Sequence, residues 1–361
     1  MDLNAIITVL IVGGLFLLSF LNLQNVTGVN QKANAYFGLF VLIWATFWLD
    51  EMVIPRSLQE GGLTVAAIRF IQFLAPLTFY LSVVFYTNPR YRYTKRDVRY
   101  LIAPSVFLTV LLCRCFMERE AFNLLYLILV LGHALLYTTL AYFGIRHHQK
   151  HIEQFVSTKG PVSLNWIRYI IYAFIGSSVV VLLYNIITPL ASLNGYINAY
   201  FLAVVYFVAF NSIRQREIYP KELNERTITA VANPDPVQKS KLMNEEELRL
   251  AKKRLLLMME TESPYLDSEL TLPKLADKLG ISSHQLSYLI NTGLGETFYH
   301  FINRYRVRKA QELLANTEYD HLNMLMIGYE SGFNSKTSFN TTFKKMTAYT
   351  PTAYRKKRPR S

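Results

Sequence analysis

Residues 322–357 read L-N-M-L-M-I-G-Y-E-S-G-F-N-S-K-T-S-F-N-T-T-F-K-K-M-T-A-Y-T-P-T-A-Y-R-K-K, and this stretch decides the fold of the C-terminal part of the chain. Its pattern predicts two short helices around a tight turn, followed by a third helical turn that a proline begins. Gly332 ends the first helix. Asn334 or Ser335 can cap the second helix, because a side-chain oxygen at that position accepts a hydrogen bond from a free backbone amide.

The two faces of this second helix differ in chemistry. Phe339 and Phe343 stand four residues apart, so we expect them on one buried face. The other face carries small, polar or basic residues, namely Ser335, Lys336, Asn340 and Thr341. A helix that enters the major groove of DNA presents side chains of this kind, so these four are candidates for contacts with bases.

A similar pair of helices is predicted upstream. Apolar residues recur at helical spacing from Leu272 to Leu279, Gly280 ends that helix, and Ser282 caps the next one with Leu286 facing inward. The outward positions of the second helix are further base-contact candidates: Ser283, His284, Gln285, Tyr288 and Asn291. Glutamine and asparagine side chains can pair with adenine through two hydrogen bonds.

Two longer helices complete this region. One begins with a capping-box pattern at Asn244 and runs to about Glu260. The other runs from Thr297 to Asn316 and is about 30 Å long, close to the 34–36 Å of one DNA turn. Such a helix could hold two recognition helices in successive major grooves. Residues 321–361 contain eight Lys or Arg against one acid, and the phosphate-contact candidates there are Lys344, Lys345, Arg355, Lys356 and Lys357.

The last third of the chain resembles the AraC/XylS family of bacterial transcription regulators, which carry two helix-turn-helix units. The matching residues are Ile327, Gly332, Phe333, Ser335, Phe339, Phe343, Lys344, Lys345, Thr350, Pro351, Tyr354 and Arg355, together with F-I-N-R-Y-R-V-R-K-A-Q-E-L-L at 301–314. Gly328 and Ala348 depart from the pattern, since the family usually has Ala and Gly there, and Thr341 stands where members often have Arg. The resemblance implies an all-α DNA-binding domain over residues 244–361, with double-stranded DNA as its partner and no enzymatic activity.

The first 213 residues have the composition of a membrane domain. The chain is 52% hydrophobic and 17% charged, and the apolar residues concentrate before residue 214. Seven stretches are near the length that crosses a bilayer, at about 5–23, 33–54, 63–86, 98–117, 121–145, 166–190 and 196–213. We therefore expect an all-α chain with a seven-helix transmembrane bundle over residues 1–213 as sensor or anchor. Residues 214–243 contain Pro220, Pro234 and Pro236 and are expected to form an extended linker.

Basic residues in the loops indicate the orientation of this bundle. With the N-terminus outside, the inner loops hold twelve Lys or Arg and the outer side holds four. Seven spans then place the C-terminal domain in the cytoplasm, where it can reach DNA. The predicted location is the bacterial cytoplasmic membrane, crossed several times.

Four polar residues of the bundle are candidates for sensing a ligand: His133 within the fifth span, and Asp50, Glu51 and Arg69 towards the outer side. The alternatives are a neutral histidine bonded to a neighbouring helix and charged side chains that reach the interface. His147, His148 and His151 are expected on a basic inner loop, solvated near the lipid. The chain shows no cofactor motif, metal-ligand spacing or catalytic constellation.

These patterns predict a membrane-embedded, sequence-specific transcription regulator that couples an outside or membrane signal to gene expression. A small-molecule or membrane signal and a second copy of the chain, as in a homodimer, are the other partners considered. Two alternatives stay open. The membrane part could be a transporter-like or receptor domain, and the C-terminal part could be a helical protein-interaction module.

Overall fold

The computed structural model describes residues 3–26, 28, 30–53, 62–89, 91–157, 164–187, 194–214 and 243–357. Over these residues the regular elements are helices, as predicted, and the only β feature is an isolated antiparallel bridge between Val156 and Thr271. The chain divides into two compact units. The first comprises Met1–His147 and Leu164–Ile218, and the second comprises His148–Ser163 and Tyr219–Ser361. The second unit thus includes a segment that the sequence analysis placed in the membrane domain.

All seven predicted apolar stretches are helical over their described residues. The helices are α1 (Leu3–Leu23), α2 (Gln31–Val53), α3 (Leu63–Phe73), α4 (Ala75–Thr87), α5 (Ile102–Leu112), α6 (Arg119–Ile152), α7 (Asn165–Ile187) and α8 (Asn194–Arg214). Pro76 lies in the first turn of α4, so α3 and α4 are the two halves of one apolar stretch that bends at Leu74. The described residues include six segments that are long and apolar enough to cross a membrane, namely Leu3–Leu23, Gln31–Leu49, Leu63–Thr87, Lys95–Phe116, Arg119–Lys150 and Tyr196–Ile213. The sixth predicted span, α7, is not among these six.

Polar side chains join the helices of the first unit. Asn198 of α8 donates to the side-chain oxygens of Asn4 (2.8 Å) and Thr8 (3.3 Å) of α1. Between α1 and α2, Ser19 donates to the carbonyl oxygen of Gly38 at 2.8 Å, and a Cβ at residue 38 would lie 2.9 Å from Leu23. Close approach at small residues and hydrogen bonds between helices are what holds helices together in lipid.

The surface of α6 contrasts with these contacts. Most of its apolar span is exposed, and the exposed side chains include Leu124, Leu127, Ile128, Leu131 and Leu135. An apolar face of this extent is unusual on a protein surrounded by water. Helix α6 also extends seven residues beyond the predicted end of its span, to Ile152. The histidines at 147, 148 and 151 therefore lie on a helix, and the prediction of a loop there was wrong.

Over its described residues, the second unit contains seven further α-helices: α9 (Glu245–Thr261), α10 (Leu272–Leu279), α11 (Ser283–Tyr288), α12 (Phe298–Ala315), α13 (Met324–Glu330), α14 (Lys336–Thr347) and α15 (Pro351–Lys357). Local side chains set their starts as predicted. Asn244 accepts from the Glu247 amide at 2.8 Å, and Ser282 and Ser335 each accept from an amide at 3.2 Å. Gly280, at φ 70°, ends α10.

Helix α12 lies between two helix-turn-helix pairs, α10–α11 and α13–α14. This helix begins and ends within one residue of the predicted bounds, Thr297–Asn316. Its 18 residues give a length of about 27 Å. The C-terminal half of α12 packs against α13 and α14 in a cluster of buried residues: Val307, Ala310, Leu313, Leu314, Ile327, Phe333, Phe339 and Phe343. The predicted inward positions Phe339 and Phe343 are confirmed.

The turn between α13 and α14 depends on a glycine. Gly332 has φ 85°, a conformation that residues with a Cβ rarely adopt. A Cβ there would also overlap the carbonyl oxygen of Tyr265 and lie 2.9 Å from the Cα of Leu266. The absence of a side chain at Gly332 therefore lets the second helix-turn-helix pair approach the 264–266 turn.

We expect Gly332→Ala to destabilise the second unit by about 3 kcal/mol or more, since left-handed strain adds to overlap with backbone that cannot move away easily. Gly280→Ala is the matched control, because Gly280 has φ 70° with nothing within 4 Å of its Cβ position, so about 1–2 kcal/mol from strain alone is expected. Proteolysis of the detergent-solubilised chain in increasing urea, read from a C-terminal tag, measures both. Equal losses in the two variants would contradict this account of Gly332.

Candidate nucleic-acid interface

Helix α14 presents a polar face opposite a buried one. Phe339, Thr342 and Phe343 are buried, whereas Lys336 and Thr341 are exposed. The hydroxyl of Thr342 lies 3.0 Å from that of Tyr299, which joins α14 to α12. The polar face is therefore held in a fixed orientation on the domain.

A shallow depression continues this face towards α15. Its lining is polar and basic, and consists of Asn340, Thr341, Lys344, Lys345, Thr350 and Thr352. The two lysines are exposed in the last turn of α14. Ser335, another base-contact candidate, is half-buried and caps α14 by accepting from the Ser338 amide. Four of the predicted residues, Asn340, Thr341, Lys344 and Lys345, thus line one depression, which can receive a phosphate backbone.

The candidates on α11 are less exposed than those on α14. Ser283, His284 and Tyr288 are half-buried, and Asn291, in the π-helical turn after α11, is exposed. Partial burial lowers the pKa of His284, so this imidazole is neutral at pH 7 and does not add to the positive charge of the surface. Asn291 donates to the hydroxyl of Ser287 at 3.1 Å.

Gln285 has a structural role in addition to the predicted one. Its side-chain oxygen accepts from the Ser282 amide at 3.0 Å and from the Ser282 hydroxyl at 3.1 Å, which completes a capping box at the start of α11. That Gln285 contacts a base stays a prediction. The spacing Ser282-x-x-Gln285 was the signal in the sequence for this cap.

The basic residues of α15 differ in accessibility. Lys356 and Lys357 are exposed, and Lys357 donates to the Tyr349 hydroxyl at 2.8 Å. Arg355 is half-buried and donates to the carbonyl oxygens of Leu322 (3.0 Å) and Tyr319 (3.4 Å). Arg355 therefore holds the segment before α13, and a phosphate contact from it stays a prediction.

Arg306 is a buried residue whose structural role sequence reasoning missed. Its side chain is fully buried in the middle of α12, where it lies over the ring of Phe333 at 5.9 Å. Burial lowers its pKa to about 10, so the guanidinium remains charged at pH 7. The sequence signal was the run of basic residues at 304, 306, 308 and 309, which cannot all face outward. Arg304 and Arg308 form ion pairs with Glu296 and Glu312.

The sensor candidates fall in the first unit. His133 is buried, its ring stacks on Phe73 with centroids 4.0 Å apart, and its Nε2 has no hydrogen-bond partner among the described residues. Arg69 lies over the ring of Tyr126 at 5.5 Å. Asp50 and Glu51 belong to α2, but their side chains lie outside the described residues. No group of three potential metal-ligating residues occurs in the described part of the chain.

The capping role of Gln285 can be separated from base contact. We expect Gln285→Ala to lose about 1 kcal/mol of domain stability, because the cap is lost. Gln285→Glu retains a cap oxygen, so its domain stability should stay within about 0.5 kcal/mol of that of the parent. Both variants lose the amide donor needed to pair with adenine, so both should lose preference for it if Gln285 contacts that base. Urea-dependent proteolysis measures the first effect, and an unchanged stability of Gln285→Ala would contradict the cap.

Comparison with known proteins agrees with this geometry. Residues 275–357 match the sequence profile of a family described as "Helix-turn-helix domain". Uncharacterized HTH-type transcriptional regulators of Staphylococcus aureus strains COL and MSSA476 are each 36% identical to this chain over 91 residues. The match covers 25% of this chain and 12% of each relative, so the chain matches only a small part of their length. No solved structure matches the chain. Residues 275–357 therefore carry a helix-turn-helix domain.

Proposed function

We propose that this chain is a membrane-embedded, sequence-specific transcription regulator, whose partners are double-stranded DNA and the lipid bilayer. The observation that carries the proposal is the polar face of α14, with Lys336, Thr341 and Lys344 exposed opposite the buried Phe339 and Phe343. A helix-turn-helix domain places such a face in the major groove. The HTH-type transcriptional regulators that share this part of the sequence support the same function.

The length of α12 supports binding by both helix-turn-helix pairs to one side of the DNA. At about 27 Å, the helix approaches the 34–36 Å that separate successive major grooves. The first pair then contributes α11 and the second contributes α14. The operator should contain two short motifs about one helical turn apart.

The composition of the first unit supports embedding in lipid. Six segments have the length and hydropathy of membrane spans, and α6 exposes a continuous row of leucine and isoleucine side chains. In the proposed orientation the N-terminus is outside and the C-terminal domain is in the cytoplasm, as the loop charges indicate.

Hydrogen bonds support placing residues 153–157 and the C-terminal domain on the same side of the membrane. Residues 153–157, between α6 and α7, make hydrogen bonds with residues 270–306 of the second unit. Both must therefore lie in one compartment. In the described part of the chain, α7 and α8 lie between them, and two crossings return a chain to the side it left.

The signal is proposed to enter at the outer ends of α3 and α5. A depression there is lined by Gly62, Leu63, Val65, Ala66, Arg69, Leu111, Leu112, Arg114 and Cys115. Arg69 and Arg114 lie over the rings of Tyr126 and Phe122, each at 5.5 Å. A small molecule that binds here must favour one of two states of the protein in order to change DNA binding.

Selection of bound sequences from random DNA by the full chain in lipid vesicles tests the DNA-binding part. We expect two motifs separated by about 10 base pairs, centre to centre. Lys336→Ala should lose about 1–3 kcal/mol of preference within one motif, and Lys344→Ala should weaken all sequences and lower the salt slope by about 1.

Lys253→Ala is the matched control for loss of one positive charge, because Lys253 is exposed on α9, outside both helix-turn-helix pairs. It should leave motif preference and salt slope unchanged. Selection of no enriched sequence by the parent protein, or equal effects of Lys253→Ala and Lys344→Ala, would contradict the proposed interface.

A further inference from the structure

A short turn from the first half of the chain is seated in the C-terminal domain. Residues 153–157 follow the end of α6 at Ile152, more than 80 residues before the domain begins at about residue 243. Phe155, Val156 and Ser157 are all buried, and Phe155 is only 1% exposed. A loop between two membrane helices would ordinarily be solvated, so this burial requires a partner surface.

The backbone of this turn satisfies the free ends of two helices. The amide of Leu272, the first residue of α10, donates to the carbonyl oxygen of Phe155 at 3.0 Å. The amide of Tyr299, the second residue of α12, donates to the carbonyl oxygen of Glu153 at 2.9 Å. Such amides have no partner within their own helices, so the turn supplies acceptors that the domain lacks at these points.

Ser157 connects the turn to the buried cation. Its hydroxyl oxygen accepts from Nη2 of Arg306 at 3.0 Å and donates to the carbonyl oxygen of Leu270 at 2.7 Å. Its carbonyl oxygen accepts from Nδ2 of Asn303 (2.9 Å) and Nη1 of Arg306 (3.3 Å). The remaining acceptors of the guanidinium that the structure describes are the carbonyl oxygens of Tyr265 and Asp267, both at 2.7 Å.

These contacts place the turn where the two helix-turn-helix pairs meet. Arg306 holds the 264–267 segment that leads into α10, and it lies over Phe333 of the second pair. The turn bonds to the start of α10, to the start of α12 and to Arg306 itself. Withdrawal of the turn would remove the acceptors that it supplies to two helix amides and to a buried charge, which is costly.

We propose that residues 153–157 are an integral part of the DNA-binding domain, and that this turn, fixed to the end of α6, controls how the first helix-turn-helix pair is held on α12. The segment that covers Arg306 is thus residues 153–157 of the same chain. Because α6 continues without interruption from Arg119 to Ile152, a shift of its membrane portion acts on the turn directly. The claim that the turn regulates the domain rests on the proposed DNA-binding function. The claim that the turn is docked in the domain does not.

Hydrogen exchange of the full chain in vesicles, without DNA, tests docking. The test variant is Phe155→Ala combined with Ser157→Ala, and the control is Phe143→Ala combined with Lys150→Ala, whose side chains are exposed on α6. We expect the amides of Leu272 and Tyr299 to exchange at least tenfold faster in the test variant only. Peptides from α13 and α14 should keep the parental rate, which shows that the domain remains folded.

Parental exchange rates at both amides would overturn the docking. If the double variant speeds exchange in α13 and α14 as well, Ser157→Ala alone decides, with at least threefold faster exchange expected at Leu272 and an unchanged rate overturning the proposal. The DNA affinity of the same samples tests whether the turn regulates DNA binding, and we expect the test variant to lose at least tenfold in affinity. Faster exchange with unchanged DNA affinity would overturn the regulatory role of the turn. A parent that exchanges as expected but binds no DNA would support docking and refute the proposed function.

Discussion

The buried guanidinium of Arg306 is the interaction on which the second unit depends. A charged group removed from water is stable only when most of its donors make hydrogen bonds. The Arg306 guanidinium donates to four oxygens. They come from the 264–267 segment and from Ser157, while Phe333 covers the face of the group. Three segments distant in sequence must therefore assemble around α12 together. Gly332 lets the 264–266 turn lie against the second helix-turn-helix pair, because a side chain at residue 332 would overlap that turn.

Local rules account for what the sequence could predict. The caps at Asn244, Ser282 and Ser335 and the left-handed end at Gly280 involve atoms within four residues of one another, so their pattern is visible in the sequence. Arg306 could be recognised only as one of several basic residues on a helix, because its burial depends on partners 39 to 149 residues away. The seating of residues 153–157 was missed for the same reason. Ala348 shows the limit of a family pattern: it adopts φ 63° at the end of α14, where the family usually has glycine.

The candidate interface was likewise predicted in part. Helical spacing correctly separated the buried Phe339 and Phe343 from the exposed Lys336 and Thr341, since periodicity reports directly on which face is buried. It could not show that Arg355 also bonds within the domain, because its acceptor at Leu322 is 33 residues away. In the first unit, hydropathy found the described apolar helices but misplaced the end of α6, because residues 146–151, after the predicted span, are polar yet remain helical.

We propose that the turn after α6 and the C-terminal domain both lie in the cytoplasm and that the membrane holds the helices between them. Reporter enzymes joined after residue 163 and after Ser361 measure this most directly, each in a form active only in the cytoplasm and a form active only outside it. We expect cytoplasmic activity at both positions. Activity outside the membrane at either position would contradict it, since the 153–157 turn could then not meet Arg306, or the domain could not meet DNA.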